Sequence, residues 1–250
     1  LTGRSGDWEH PCADIEARAD GDDLVLDGQA CFVQDAFKVG FVLAAVRQGQ
    51  AQLICAVPTG AEGLRLEQDH IHDLTRDQAT LHFDGVRVAS DAVVSQQAPA
   101  ALDRARPSLL AVVAADLCGC AEWQLQTTVE YAKTRTQFER QIGFFQAVKH
   151  PLVDAMVMID RARSLLYRAA ACIDVDSPDA EQFARMAKSA ASDAGAFVSD
   201  RSVQLHGGIG FTWECDVHIW FKRSMHNQAL YGDGVHQRRL LADAMIGPLP

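Results

Sequence analysis

Basic residues are the first shortage: 23 Lys and Arg stand against 33 Asp and Glu, a formal net charge of −10. That balance excludes a nucleic-acid surface or an anionic membrane as the main partner, because both reward concentrated Lys and Arg. No uninterrupted apolar run approaches the roughly 20 residues a bilayer crossing needs, and no charged-then-apolar leader opens the chain. A cytoplasmic setting is expected. The chain does not open with Met, so the numbering is read as beginning inside a longer gene product. The seven cysteines are irregularly spaced, and Cys31, Cys55, Cys118 and Cys172 fall in apolar runs. They read as small buried hydrophobes rather than a disulfide framework. Metal-ligand spacing is missing too. His70 and His72 could face one side of a strand but have no Cys or carboxylate cluster beside them, and Cys118 and Cys120 on a helix diverge by roughly 200°. No metal is expected. There is no Gly-x-Ser-x-Gly elbow and no glycine-rich loop with dinucleotide or phosphate-loop spacing, which removes the hydrolase and Rossmann readings.

What is present divides into two textures. From Ile15 to Val94 short alternating runs are broken by turn residues: "DIEARAD", "LVLDGQACFV", "KVGFVLAAV", "AQLICAV", "ATLHFDGVRV". Period-two alternation predicts strands, with a hairpin at Gly21-Asp22-Asp23, where small and acidic residues tolerate positive φ. After "SQQAPAALDRA" the period becomes helical. Pro107 suits a first helical turn, where its missing N–H is not needed. Four long helices are predicted, over about 107–133, 146–173, 178–206 and 216–246, the last interrupted at Gly232. The expected fold class is α+β: an antiparallel β-domain over 1–98, then a four-helix bundle over 99–250. Asp116 stands in an apolar stripe, as a paired core carboxylate or as an acid lining a pocket.

Three breaks in the helical half carry the chemistry. In "RTQFERQIGFFQ", Arg135, Gln137 and Phe138 follow a helix end and Gln146 opens the next helix. A guanidinium there can pair with a diphosphate through its planar fork, while Phe138 offers an aromatic face. In "QLHGGIGF", Gln204 precedes Gly207, Gly208 and Gly210. Adjacent glycines let backbone amides approach an anion or a flat ring closely. In "NQALYGDGVHQRRLLADAM", two helical patterns are separated by Gly232-Asp233-Gly234.

In this order the breaks, with "DGDDLVLDGQACFV" and "LHFDGVRV", resemble the acyl-CoA dehydrogenase family of flavoproteins along essentially the whole chain. The resemblance implies an N-terminal helical domain, a middle β-domain and a C-terminal four-helix domain, of which this chain contains the last two. It implies oxidation of an acyl-CoA thioester to the 2,3-enoyl-CoA: a carboxylate removes the α-proton while hydride passes from the β-carbon to FAD. By that resemblance, Arg135, Gln137, Phe138 and Gln146 fall where the family meets the adenosine diphosphate part of an FAD held mainly by a neighbouring subunit. Gln204, Gly207 and Gly208 fall where it closes on that same cofactor. Glu139 replaces a usual Gly, and Gln137 a usual small hydroxyl residue.

The catalytic end departs from the pattern. "YGDG" stands where the family commonly has Tyr-Glu-Gly-Thr, so the catalytic Glu maps onto Gly232. The alternative base position on the first long helix maps onto Leu109, or onto Ala105 in a second register, and the CoA-facing Arg beside it onto Leu110. The family's flavin-side loop is shortened to "LTGRSGDW", and Gln34 in "FVQDA" replaces a hydroxyl that would reach the flavin.

Three readings follow. One is a base-less subunit of a heteromeric, α2β2, acyl-CoA dehydrogenase resembling those acting on steroid side-chain CoA thioesters. A second subunit would then supply the Glu, and electron-transfer flavoprotein would accept the electrons by analogy. Another is a self-sufficient enzyme with Asp233 as base, one residue on and one methylene shorter. The third is an acyl-CoA-binding scaffold without catalysis. The glycine at 232 is expected to leave room, for part of a bulky substrate or for an element of the partner.

Overall fold

The computed structural model describes residues 3–6, 8–9 and 14–247. The chain forms two compact units, Leu1–Ala105 and Arg106–Pro250.

In the first unit seven strands make one sheet: β1 (Asp14–Asp20), β2 (Asp23–Gln34), β3 (Phe41–Gln48), β4 (Ala51–Pro58), β5 (Leu64–Gln68), β6 (Gln78–Val88) and β7 (Val93–Ser95). Their order is β5-β6-β2-β1-β3-β4-β7. The predicted hairpin joins β1 to β2. Asp20 already pairs with Asp23, so the turn proper is Gly21-Asp22, with Gly21 at φ +65°.

The sheet is mixed rather than purely antiparallel. The β1–β2 hairpin uses one edge of β1, and the chain returns to lay β3 parallel to the other edge, paired at Glu16–Arg47. Alternation buries Ile15, Leu26, Val46, Leu53, Leu81 and Val86 almost completely. That apolar burial is the main source of the unit's stability. His70 and His72 lie beyond the end of β5, outside any strand, and both are exposed. Among the described residues no group of three His, Cys, Asp or Glu side chains could hold a metal ion.

The second unit is built from α1 (Ala98–Thr134) from Arg106 onward, α2 (Gln146–Asp174), α3 (Ala180–His206), α4 (Val217–Ala229) and α5 (Gly234–Ile246), with a two-rung hairpin, β8 (Thr136–Gln137) and β9 (Arg140–Gln141), between α1 and α2. The first helix begins well before the predicted residue 107. Ser95 Oγ accepts the Gln97 N–H at 3.1 Å just ahead of it, and Pro99, not Pro107, occupies the first turn. Pro107 is carried inside the helix, where it removes one backbone donor.

The same helix holds an 18-residue window of mean hydropathy 1.3, long and apolar enough by length and composition to cross a membrane, although Asp116 and Glu122 interrupt its apolar run. The structure buries 56% of that window within the fold. Leu110, Leu117 and Ala121 go fully inside. Leu110, where a CoA-facing Arg was expected, is therefore a core residue.

α3 carries an unusual share of small residues on its buried face: Ala184, Ala187, Ala191, Ala194, Ser192 and Ser199. Small side chains let neighbouring helices approach closely, and polar ones must then find partners. Gln124 donates to Ser199 Oγ at 3.0 Å and to Ser224 Oγ at 3.3 Å, while the Thr128 and Ser202 hydroxyls meet at 2.7 Å. Asp116 is a paired carboxylate: Arg223 grips it with Nε at 3.0 Å and Nη2 at 2.8 Å, and Asn227 Nδ2 adds a third bond at 2.9 Å. Cys118 and Cys120 are both buried and free. Burial pushes their thiols up to about 11 and about 12, so neither is a reactive thiolate.

Candidate functional site

The first break is strained. Phe138 and Glu139 form the two-residue turn between β8 and β9, at φ +53° and +61°. Such a turn needs left-handed backbone at both positions and is ordinarily filled by Asn and Gly. Two bulky residues held there carry backbone strain. Phe138 is 85% exposed.

Behind it runs an aromatic chain: Phe138 meets Phe145 edge-on at 6.1 Å, Phe145 meets Phe144 at 5.9 Å, and the Arg140 guanidinium lies 4.4 Å above Phe144. Arg135, Gln137 and Gln146 are exposed around the same turn. α2 starts at Gln146 with Phe145 as N-cap and no side-chain cap. Its first amides and the nearby Arg135, Arg140 and Lys149 thus suit a diphosphate.

The second break lies at the end of α3. Gly207 has φ +61°, and its N–H returns to the Gln204 carbonyl. The three glycines differ. A Cβ on Gly210 would fall 2.8 Å from the Val203 carbonyl oxygen, so packing accounts for that glycine, whereas Gly207 and Gly208 have nothing within 4 Å of theirs. Open space beside an exposed glycine backbone is what a flat group needs for close approach.

Two residues missed in the sequence join this break to the first. The His206 imidazole stacks on Tyr131 with centroids 4.4 Å apart, and its Nδ1 bonds the Ser202 carbonyl at 2.8 Å. The Tyr131 carbonyl in turn accepts the Arg135 N–H at 2.8 Å. The only hint in the sequence was an aromatic ring close before each break, Tyr131 one turn ahead of Arg135 and His206 immediately ahead of Gly207.

The third break is at the other end of α3. Tyr231 and Gly232 take φ +57° and +83°, and the chain restarts as α5. The carbonyls orphaned by the break are taken up by buried side chains. Lys188, fully buried, donates to Ser192 Oγ at 3.0 Å, to the Gln228 carbonyl at 3.1 Å and to the Gly232 carbonyl at 2.8 Å. Gln237 donates to the Tyr231 carbonyl and is itself held by Arg185 Nη1 at 2.9 Å. Ser189 Oγ donates to the Gly234 carbonyl at 3.1 Å.

Burial pulls Lys188 down to about 7, with the Asp233 carboxylate opposing that shift. Lysine at a core position among Ala184, Ala187 and Ala191 was the sequence signal for this clamp. Lys188 and His206 lie eighteen residues apart on one helix, about 27 Å at 1.5 Å per residue. The aromatic and glycine breaks therefore share one end of α3, and the "YGDG" break holds the other.

Asp233 is the N-cap of α5: its Oδ1 accepts the His236 N–H at 2.8 Å. Gly232 does not leave the room expected of it. A Cβ there would lie 2.2 Å from Cδ2 of His236, whose imidazole takes the space. In the β unit, Gln34 spends its amide on Gln78 Oε1 at 2.7 Å. Of "LTGRSGDW", Leu1, Thr2 and Asp7 lie outside the described residues. Leu109 is half-buried and Ala105 exposed.

The family model for the acyl-CoA dehydrogenase C-terminal domain matches residues 96–246, more than half of the chain. Acyl-CoA dehydrogenase IpdE2 of Mycobacterium tuberculosis is 47% identical over 113 residues, covering 45% of this chain and 34% of that protein. The solved Tcur3481-Tcur3483 steroid ACAD G363A variant is 27% identical with a TM-score of 0.83, over 94% of this chain and 63% of that one. Butyryl-CoA dehydrogenase from Megasphaera elsdenii, at 24% identity and a TM-score of 0.85 over 93% of this chain and 63% of its own, shares the fold. The chain belongs to the acyl-CoA dehydrogenase family, whose members are FAD-dependent oxidoreductases. It spans 34% of the length of the first of these relatives and 61% of Mycobacterium leprae fadE25.

Proposed function

We propose that this chain is the base-less subunit of a heteromeric acyl-CoA dehydrogenase and completes an FAD site seated chiefly in a partner subunit. The observation that carries this reading is the contrast between the ends of α3. One end presents an exposed, strained aromatic turn and two glycines with open space beside them, the other a glycine and a capping aspartate where the family sets its base.

The residues of the first end fit the cofactor. Arg135 and the uncapped start of α2 at Gln146 would hold the diphosphate. Gln137 and Phe138 would lie along the adenosine, and Gln204, Gly207 and Gly208 would close over the same nucleotide. When bound, FAD supplies the hydride acceptor for the β-carbon. This chain's contribution is to bind and orient that cofactor and to exclude water from its nucleotide half. The α-proton goes to a glutamate of the partner subunit.

An α2β2 assembly, a steroid side-chain CoA thioester as substrate, electron-transfer flavoprotein as acceptor and a cytoplasmic location complete the reading. The likeness to IpdE2 and to a steroid ACAD whose name joins two designations supports it.

Purification tests it. The chain alone is expected to carry no stoichiometric flavin and to leave acyl-CoA unoxidised, and a co-expressed catalytic subunit to yield a yellow, active complex. A yellow, active preparation of the chain by itself would overturn the proposal.

A further inference from the structure

Phe144 carries two cations. The Arg140 guanidinium lies 4.4 Å above its ring, and Lys149 Nζ stands 5.8 Å from the same centroid. The ring is exposed and braced edge-on by Phe145. A guanidinium stacked on an aromatic face keeps its in-plane N–H fork free, whereas a carboxylate partner would occupy that fork. Among the described residues neither Arg140 nor Lys149 pairs with a carboxylate, in a chain of formal net charge −10. The hairpin register adds to this. Arg140 pairs with Gln137 across the two strands, and Ile142 N–H bonds the Arg135 carbonyl at 2.9 Å. Arg135, Gln137 and Arg140 therefore project from one face of the hairpin. Lys149 closes the first turn of α2, which holds no acidic residue. A positive charge there opposes the helix dipole, a local cost that a bound anion offsets.

We infer that Phe144 is a positioning residue: it holds the Arg140 fork, with Lys149 beside it, ready for the diphosphate of the FAD that Arg135 binds. This rests on the heteromeric reading above and adds to it a cationic arm formed by β9 and the start of α2. The negative charges of the diphosphate then meet guanidinium groups from both ends of the hairpin rather than Arg135 alone. The ring's part is to fix one of those groups without neutralising it.

The probe is FAD itself, released on dilution of the flavin-loaded complex and followed by its fluorescence. Arg140→Gln and Phe144→Leu should each release it about tenfold faster than wild type. Phe144→Tyr, which keeps the ring, should restore the wild-type rate. The double variant Arg140→Gln/Phe144→Leu should be no faster than Arg140→Gln alone, because the ring acts through the guanidinium. Screening supplies a readout that packing alone would not move: added salt should speed release from the wild type, and do so less in Arg140→Gln/Lys149→Gln. Unchanged release in Arg140→Gln, additive effects of the two substitutions, or an unaltered salt dependence would overturn the inference. A weaker Kd for acyl-CoA with FAD retention intact would overturn it too, by assigning the arm to the phosphates of the thioester. Phe144 is exposed, so the melting temperature of Phe144→Leu should hold; a fall that accounts for the lost flavin would make the ring merely structural. Flavin held by the chain without a partner would fail the heteromeric reading alone, and the same release series on that material still decides the role of the arm.

Discussion

Replacing Arg135 by Ala should weaken FAD retention in the assembled complex by roughly 10- to 100-fold. A charge-assisted hydrogen bond is worth about 1.5–3 kcal/mol, and each 1.4 kcal/mol is about a factor of ten. Arg135 sits at the strained turn, exposed, with its backbone N–H fixed on the Tyr131 carbonyl. Its loss should therefore leave the bundle's stability nearly unchanged while the flavin dissociates on dilution. Fluorescence recovery of released FAD would report it. Unchanged retention would mean that the turn faces solvent and that the strain at Phe138 and Glu139 serves something else.

The second large effect concerns Lys188. Three oxygens favour its ammonium form, yet burial dominates and lowers its pKa to about 7 from the ordinary 10.5. Between about pH 7 and pH 10 the unfolded chain then holds a proton on this lysine that the folded chain does not. Stability from this site must therefore rise with pH across that window, and be lost as pH falls toward 7. The slope approaches about 1.4 kcal/mol per pH unit at its steepest, the value for one proton.

Lys188→Met removes the titration and leaves the Gln228 and Gly232 carbonyls without their donor, at about 1–3 kcal/mol each. The difference in unfolding free energy between wild type and variant should accordingly widen as pH is raised from 7 to 9. Denaturant titrations at several pH values would show it. A difference that stays constant would place the lysine's folded pKa near its ordinary value.

Much of this was legible in the sequence, and the exceptions share a cause. α2, α3 and the broken last helix were found within a few residues because their ends coincide with local chemistry: Gln146 after Phe145, Gly207 after His206, Gly232 after Tyr231. The start of α1 was misplaced because two prolines compete for the same role, and Ser95 and Pro99 had already begun the helix before Pro107. The parallel β1–β3 neighbour was not legible at all, since it depends on which strand reaches the free edge of β1 rather than on any local signal.

In the proposed site, the sequence singles out the exposed residues of the first two breaks by residue type, as Arg, Phe and Gly. What escaped was the set of tertiary partners. Tyr131 under His206, Lys188 beneath Gly232 and His236 beside it are ordinary residues in a one-dimensional reading. The last of these reversed an expectation, because a glycine signals absent bulk at its own position and says nothing about a neighbour four residues on that takes the space.

The central claim is that this chain lends contacts to a cofactor but supplies no proton acceptor, and Asp233→Asn tests it most directly. Asparagine is as good an N-cap as aspartate, so α5 should keep its start and the complex its melting temperature. Steady-state turnover of acyl-CoA by the flavin-loaded complex is predicted to be unchanged. A fall of about 100-fold or more, the scale of losing a general base, with FAD still bound and the fold intact, would contradict the account.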